Sequence, residues 1–190
     1  MNLHFMITLG VAAMVFVLFV FIAVWARSYV KVGPNQALIV SGRKVRRADG
    51  TWVGFRVVKG GGTFVFPLLE RAEVLSLAVL ALELPRSKLR TAQGVSIEVE
   101  CVAQVKVESD DVSISAAAEY FLGKSTEAIK DIIRPVLANH LHAVVGSLSS
   151  EQALQDGDAC AAAVQTAASV DLAKMGLSVI SLTVRLRPAG

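Results

Sequence analysis

With 190 residues, a formal charge of +3, 54% hydrophobic residues and 2 cysteines, the chain has room for one ordinary domain or two small packed subdomains beyond any anchor. The cysteine count excludes a disulfide framework. The hydrophobic share does not mark a polytopic membrane protein, because it is concentrated near the N-terminus and in an alanine-rich second half. Charge is uneven as well: from Gly61 onward there are 11 basic against 15 acidic residues, whereas the stretch before it is strongly basic.

From Phe5 to Ala26 no residue is charged. A helix of about 22 residues rises about 33 Å, enough to cross a hydrocarbon core of about 30 Å. A secretory leader would need a basic start and a shorter apolar run, and Met1 to His4 holds no Lys or Arg. The segment is therefore expected to span a membrane, with Phe5, Leu9, Val15, Phe19, Phe21 and Ala26 among its membrane-spanning positions. Trp25, Arg27 and Tyr29 are expected at the headgroup level, where amphipathic aromatics and basic residues settle. Arg27, Lys31, Arg43, Lys44, Arg46, Arg47, Arg56 and Lys59 follow the helix, opposed only by Asp49 before Gly60. The positive-inside rule then places the N-terminus outside and the rest of the chain in the cytoplasm.

Val32-Gly33-Pro34-Asn35 reads as a turn, because Pro restrains itself and the residue before it. Gln36 to Ser41 reads as a first strand. The basic run containing Arg43, Lys44, Arg46 and Arg47 is read as a contact for anionic lipid, worth about 1 kcal/mol per residue near the surface, rather than for nucleic acid. Asp49-Gly50 signals a hairpin turn, and Trp52 to Val58 returns as a strand. Gly60-Gly61-Gly62 then interrupts the pattern. No GK[ST] or helix follows it, so a phosphate loop is not indicated. Phe64, Phe66, Leu68 and Leu69 form an apolar tip around Pro67 that is expected to dip into the headgroup layer.

Glu73 to Leu84 reads as a strand up to Pro85, followed by a polar connection from Arg86 to Gly94. Ser96 to Val107 gives the clearest alternation in the chain, with Ile97, Val99, Cys101, Ala103, Val105 and Val107 on one face. Glu98 and Glu100 share the other face and read as surface residues, and Cys101 and Cys160 as small core residues. The period becomes helical after Ser109. Asp110 to Phe121 is one helix, and Ser125 caps a second, with Glu127 in its first turn. A kink or a junction of two helices is expected at Pro135. His140 and His142 are two apart, so they do not share a helix face and no metal pair is expected. Ser149-Ser150-Glu151-Gln152 has the form of a capping box opening a short helix. Asp158 is placed as the cap of an alanine-rich helix running to Met175, which Gly176 terminates. Leu177 to Leu186 alternates again, with Ile180, Leu182, Val184 and Leu186 on one face. Strands, then helices, then a final strand describe an α+β domain behind an N-terminal transmembrane helix.

Several segments carry a resemblance to a known family: VGPNQALIVSGRK (Val32 to Lys44), VVKGGGTFVFPLLER (Val57 to Arg71), RTAQGVSIEVECVAQVKV (Arg90 to Val107), YFLGKSTEAIKDI (Tyr120 to Ile132) and DLAKMGLSVISLTV (Asp171 to Val184). In order and spacing they resemble bacterial flotillins, of the SPFH group (stomatin, prohibitin, flotillin, HflK/C). The resemblance implies an anchor over residues 1–28, a strand-rich SPFH subdomain over 29–107 and an αβ subdomain over 108–187. It also implies a scaffold that oligomerises into rings or cages on a lipid membrane, organises lipid and protein microdomains, and works beside a small NfeD-family membrane protein. By position, Phe64 to Leu69 matches the family's membrane-apposed loop. A long coiled coil follows the last strand in flotillins, whereas these residues end at Arg187-Pro188-Ala189-Gly190 and are expected to lack it. Two further departures are Asp156-Gly157-Asp158, where Asp-Arg-Asp is common, and Pro135. The alternative implied function is a regulatory subunit restraining another membrane protein, such as a protease or channel. No nucleophile with a nearby base, metal-ligand spacing or cofactor loop emerges, so neither enzymatic activity nor a cofactor is expected.

Overall fold

The computed structural model describes residues 3–46, 52–66, 69–149 and 156–188, with backbone only for residues 3–6, 8, 43–46 and 52–53. The Asp49-Gly50 turn, Arg47, Leu68 and the short helix expected from Ser150 lie outside the described residues. So do the side chains of Phe5, Arg43, Lys44 and Arg46. By packing the chain divides into two compact units, one of Met1–Pro34 and Leu38–Glu73, the other of Asn35–Ala37 and Val74–Gly190. The division falls between residues 73 and 74, while the change to helical periodicity comes at Ser109.

In the first unit, α1 (Leu3–Arg27) leads to β1 (Tyr29–Arg46) with Ser28 alone between them. β1 is the middle strand of a three-stranded sheet, flanked by β2 (Trp52–Phe64) and β3 (Arg71–Ser76). Its core is Val32, Leu38, Val40 and Val65, with Val30, Val58 and Ala72 packed against it. Two expectations are corrected here. Val32 to Asn35 forms no turn; the segment lies inside β1, whose extended backbone suits the fixed φ of Pro34. The glycine triplet does not end β2 either. Gly60 and Gly61 adopt φ of 62° and 78° within it, an extension that glycine tolerates. A Cβ on Gly62 would collide with the Tyr29 ring.

The second unit is a sheet of β4 (Leu80–Arg90), β5 (Ser96–Val107) and β6 (Leu177–Pro188), antiparallel throughout with β5 central. Glu73 to Leu84 is thus two strands, not one, since β3 ends at Ser76 and β4 begins at Leu80. The stretch from Arg86 is strand rather than connection up to Arg90. Pro85 sits where the β4–β5 register slips between Leu84 and Ser87, the kind of irregularity that accommodates a residue without an N–H. Along β5 the expected alternation is observed, with Ile97, Val99, Cys101, Ala103, Val105 and Val107 all buried.

Among the described residues three helices pack on that buried face: α2 (Asp111–Phe121), α3 (Thr126–Ser147) and α4 (Gly157–Lys174). Asp110 caps α2 by accepting from the Ser113 N–H, and Ser125 caps α3 by accepting from the Ala128 N–H. Neither two helices nor a break marks Pro135, because α3 runs on as one helix. Ile133, Leu137, Leu141 and Val145 recur every fourth residue and are fully or almost fully buried. Each buried aliphatic side chain of this kind contributes about 1.5–3 kcal/mol, enough to offset the proline. The α4 cap is Asp156, which accepts from the Ala159 N–H, and Asp158 stands in the first turn instead. Gly176, at φ 73°, ends the helix in the left-handed conformation. In β6 Ile180 departs from its expected face: Gln104 pairs with Ser181 but Val105 with Val179. Ile180 is therefore the extra residue of a bulge and is 45% exposed, while Leu182 and Val184 are buried.

Candidate membrane-interface site

Leu9–Arg27 has a mean hydropathy of 2.7, and none of it is buried in the fold. Leu9, Val15, Phe19 and Phe21 are all more than half exposed, and Ala26 is exposed with them. So large an apolar surface left in water would cost many times the 1.5–3 kcal/mol of a single side chain.

The helix ends in an aromatic cluster. Trp25 stacks on Phe64 with ring centroids 5.1 Å apart and planes 27° apart, and Tyr29 meets Phe64 edge-on, also at 5.1 Å. Contacts of this geometry add about 0.5–1.5 kcal/mol beyond burial. Ser28 completes the junction. Its N–H donates to the Val24 and Trp25 carbonyls, its hydroxyl donates to the Val24 carbonyl at 2.9 Å, and its own carbonyl accepts the Val65 N–H at 2.8 Å. The apolar segment is thereby tied to the last turn of α1 by both backbone and rings.

Beneath the segment lies a polar clamp. Glu70, its side chain only 6% exposed, accepts from Arg56 Nη2 at 3.3 Å and from the Phe66 N–H at 3.2 Å. The Glu70 N–H in turn donates to the Phe66 carbonyl at 2.7 Å, closing the loop on itself. Arg56 also donates from Nη1 to Thr63 Oγ1 at 3.2 Å and from Nη2 to the Phe64 carbonyl at 2.7 Å. Charge-assisted bonds are the stronger class. With the backbone held inside, Phe64, Phe66 and Leu69 are left 39%, 51% and 77% exposed. The structure thus brings Trp25, Tyr29 and Phe64 together and leaves Phe66 and Leu69 free at the surface; Arg27 is exposed in the last turn of α1. Sequence reasoning missed Ser28, Arg56 and Glu70. A signal was present for Glu70, the single acidic residue in the sequence between Asp49 and Glu73.

Groups that could suggest chemistry lie in the second unit and do not converge. A cleft of about 320 Å³ between β4 and α3 is lined by Ser87, Asp131 and His142 among others. Among the described residues no hydrogen bond joins these three, and Asp131 binds Arg134 instead. His140 pairs with Asp171 at 3.0 Å, and Asp171 also holds Lys174. These two partners, Lys174 first, hold the Asp171 carboxyl below the ordinary range. Among the described residues no group of three or more His, Cys, Asp or Glu is arranged to hold a metal ion. Cys101 and Cys160 are free and buried. Burial, with Cys160 as a second cause, pushes the Cys101 thiol up to about 11. Glu100 meets Arg86 at 3.6 Å on the outer face of the sheet, a surface ion pair rather than one of two acid–base carboxylates.

An apolar helix running straight into a short sheet, then strands and helices closed by a final strand, defines a class of α+β domain behind an exposed helix long and apolar enough to cross a membrane. The family model that matches residues 30–186 is described as SPFH domain / Band 7 family, and the chain belongs to that family. Within it the chain is similar to flotillins. It is 37% identical over 174 residues to flotillin-like protein FloT of Bacillus subtilis (strain 168), covering 90% of this chain and 34% of that protein. It is 36% identical over 154 residues to flotillin-2 of Carassius auratus, covering 81% of this chain and 35% of that one. To flotillin-1 of Drosophila melanogaster it is 35% identical over 158 residues, or 83% and 35% of the two chains. The chain spans about a third of the length of these curated relatives.

Proposed function

We propose that this chain is a membrane-anchored scaffold whose SPFH domains pack side by side as a homo-oligomeric ring or cage and organise lipid and protein microdomains. α1 crosses the bilayer once, with the N-terminus outside and the SPFH domain on the cytoplasmic side of a bacterial inner membrane. Trp25, Arg27, Tyr29, Phe64, Phe66, Leu68 and Leu69 lie at the headgroup level, and Arg43, Lys44, Arg46 and Arg47 contact anionic lipid. A small NfeD-family membrane protein is a partner. The strand-rich part up to Val107 and the αβ part from residue 108 to 187 act as the two subdomains of the SPFH fold. One observation carries this reading: an exposed apolar helix passes through one residue into β1 and stacks through Trp25 on Phe64, in a segment whose Phe66 N–H is held by Glu70 and whose Phe64 and Phe66 side chains are exposed. Burying such a surface in lipid is favourable by the same apolar transfer that drives folding.

Light scattering of the purified chain in mild detergent tests assembly. A large homo-oligomer is expected, and a clean monomer at micromolar concentration removes the scaffold reading. Quenching of Trp25 by brominated lipid tests depth. Bromine near the headgroup should quench it more strongly than bromine at mid-chain, and the reverse order would displace the loop from the interface. For topology, a reporter that fluoresces only in the cytoplasm, fused after Gly190, should light up.

A further inference from the structure

The second unit carries opposite charge at its two ends. On the outer face of its sheet, β4 contributes Arg86, Lys88 and Arg90 and β6 contributes Arg185 and Arg187, all exposed. Between them β5 supplies Glu98 and Glu100, in register with Arg187 and Arg185 and only half-exposed. That end has an excess of three positive charges, and its cations stand further into water than its carboxylates. At the far end of β5 the sign reverses. From Glu108 to Glu127 the acids Glu108, Asp110, Asp111, Glu119 and Glu127 are exposed; Lys124 is the one base within that segment, and Glu127 is paired with Lys130 at 3.0 Å. Glu100 and Glu108 are roughly 26 Å apart along the strand at about 3.3 Å per residue. The two patches are therefore further apart than the screening length of about 8 Å at physiological salt, and they act as separate surfaces.

Each end also has an apolar element. Val95 is 47% exposed in the turn beside the basic patch. On α2, Val112 and Tyr120 are 72% and 46% exposed, and they stand two helical steps of four residues apart on one stripe. Charge pairs alone are weak in water, but an exposed Tyr ringed by charge is the kind of anchor that interfaces use.

We infer that the basic outer end of the β4–β5–β6 sheet docks the acidic α2 end of the same unit in a second copy of this chain, head to tail. Resting on the reading of the chain as a homo-oligomer, this assigns the surfaces that join its copies. A two-fold contact centred on either patch would set like charge against like, whereas a head-to-tail contact repeats in one direction and closes into a ring or runs on. Glu98 and Glu100 at the centre of the basic patch weaken it as a seat for an anionic membrane, and the matching acidic surface is already present on every copy.

Charge reversal in the full chain tests this by light scattering in detergent. Arg90→Glu with Arg187→Glu, and separately Glu108→Lys with Glu119→Lys, should each reduce the assembled fraction at least about tenfold, since like charges across a contact cost several kcal/mol. An equimolar mixture of the two variants should reassemble, because each then offers the end that the other lacks; this rescue also shows that both are folded. If the first pair misfolds by circular dichroism, Arg90→Glu alone, opposite uncharged Ser96, should act in the same direction. Wild-type assembly should weaken at about 1 M salt, where the screening length falls to about 3 Å. A wild-type oligomer that neither reversal alters overturns the inference and leaves the scaffold reading standing. Loss of assembly in the basic-end variant without rescue by mixing, together with lost binding to anionic vesicles, makes lipid the occupant and overturns it too. A monomeric wild type overturns both.

Discussion

Replacing Glu70 with Ala should loosen the apolar loop without unfolding the sheet beneath it. The carboxylate is 6% exposed and holds two donors, Arg56 Nη2 and the Phe66 N–H. Hydrogen bonds to a charged group contribute about 1.5–3 kcal/mol each when well desolvated. Arg56, however, is 33% exposed and keeps the Phe64 carbonyl and the Thr63 hydroxyl, so solvent screening lowers its share toward that of a surface pair. A net loss of about 1–2 kcal/mol follows, which raises the open population of the loop roughly 5- to 30-fold. Glu70→Gln keeps an acceptor for the Phe66 N–H and should recover part of that loss. The assay is hydrogen exchange at the Phe66 amide, read beside Trp25 emission in a Trp52→Phe background, because Trp25 stacks on Phe64. Unchanged exchange and emission in Glu70→Ala, or equal effects of Ala and Gln, would refute the clamp.

Gly176→Ala should lower the urea midpoint by the equivalent of at least about 2 kcal/mol. Its φ of 73° costs about 1–2 kcal/mol for an L-residue, and the new Cβ would also meet the Ser113 carbonyl and lie 2.9 Å from the Ala117 nitrogen; an unchanged midpoint would remove this close approach of α2. Cys101 and Cys160 should resist a thiol reagent at pH 8 until urea unfolds the second unit, since both are buried and the Cys101 thiol is pushed up to about 11. Reaction of either within minutes in the native protein would contradict that. Asp110 and Asp171 both titrate below the ordinary 3.8, Asp110 through the Ser113 N–H and Asp171 chiefly through Lys174. A depressed carboxyl stabilises the fold above its unfolded value and loses that contribution as pH falls through the folded one. Stability should therefore fall as the pH drops below the ordinary carboxylate range of about 4, and Asp110→Asn should flatten the drop; an identical acid profile for the variant would exclude the cap as its source.

Features set by near neighbours could be read from the residues. The uncharged run to Ala26, the alternation of β5, and the caps at Ser125 and Gly176 all stand where local chemistry places them. Pairing between strands could not be read so directly. Pro34 and Pro85 signal turns in isolation, yet an extended backbone at one and a register slip at the other accommodate them within strands. Ile180 continues a pattern on paper that a single bulge shifts out of phase. Asp156 and Asp158 flank Gly157 almost symmetrically in sequence, and only the path of the backbone selects the first as the cap. At the candidate membrane-interface site the aromatics were legible as a composition, whereas their clamp was not, because Arg56 and Glu70 are 14 residues apart in sequence.

The single residue between α1 and β1 makes the junction a weld rather than a tether. A flexible linker would let a soluble domain sample many heights and tilts above the bilayer, each at an entropic cost when one is selected. Ser28 is 5% exposed and has its N–H, hydroxyl and carbonyl all engaged, so rotation of the helix about its axis turns the aromatic loop with it. If α1 crosses the bilayer as proposed, neighbouring copies would meet already sharing a height and a tilt, and an encounter in the plane would leave only the turn of each copy about the membrane normal to find.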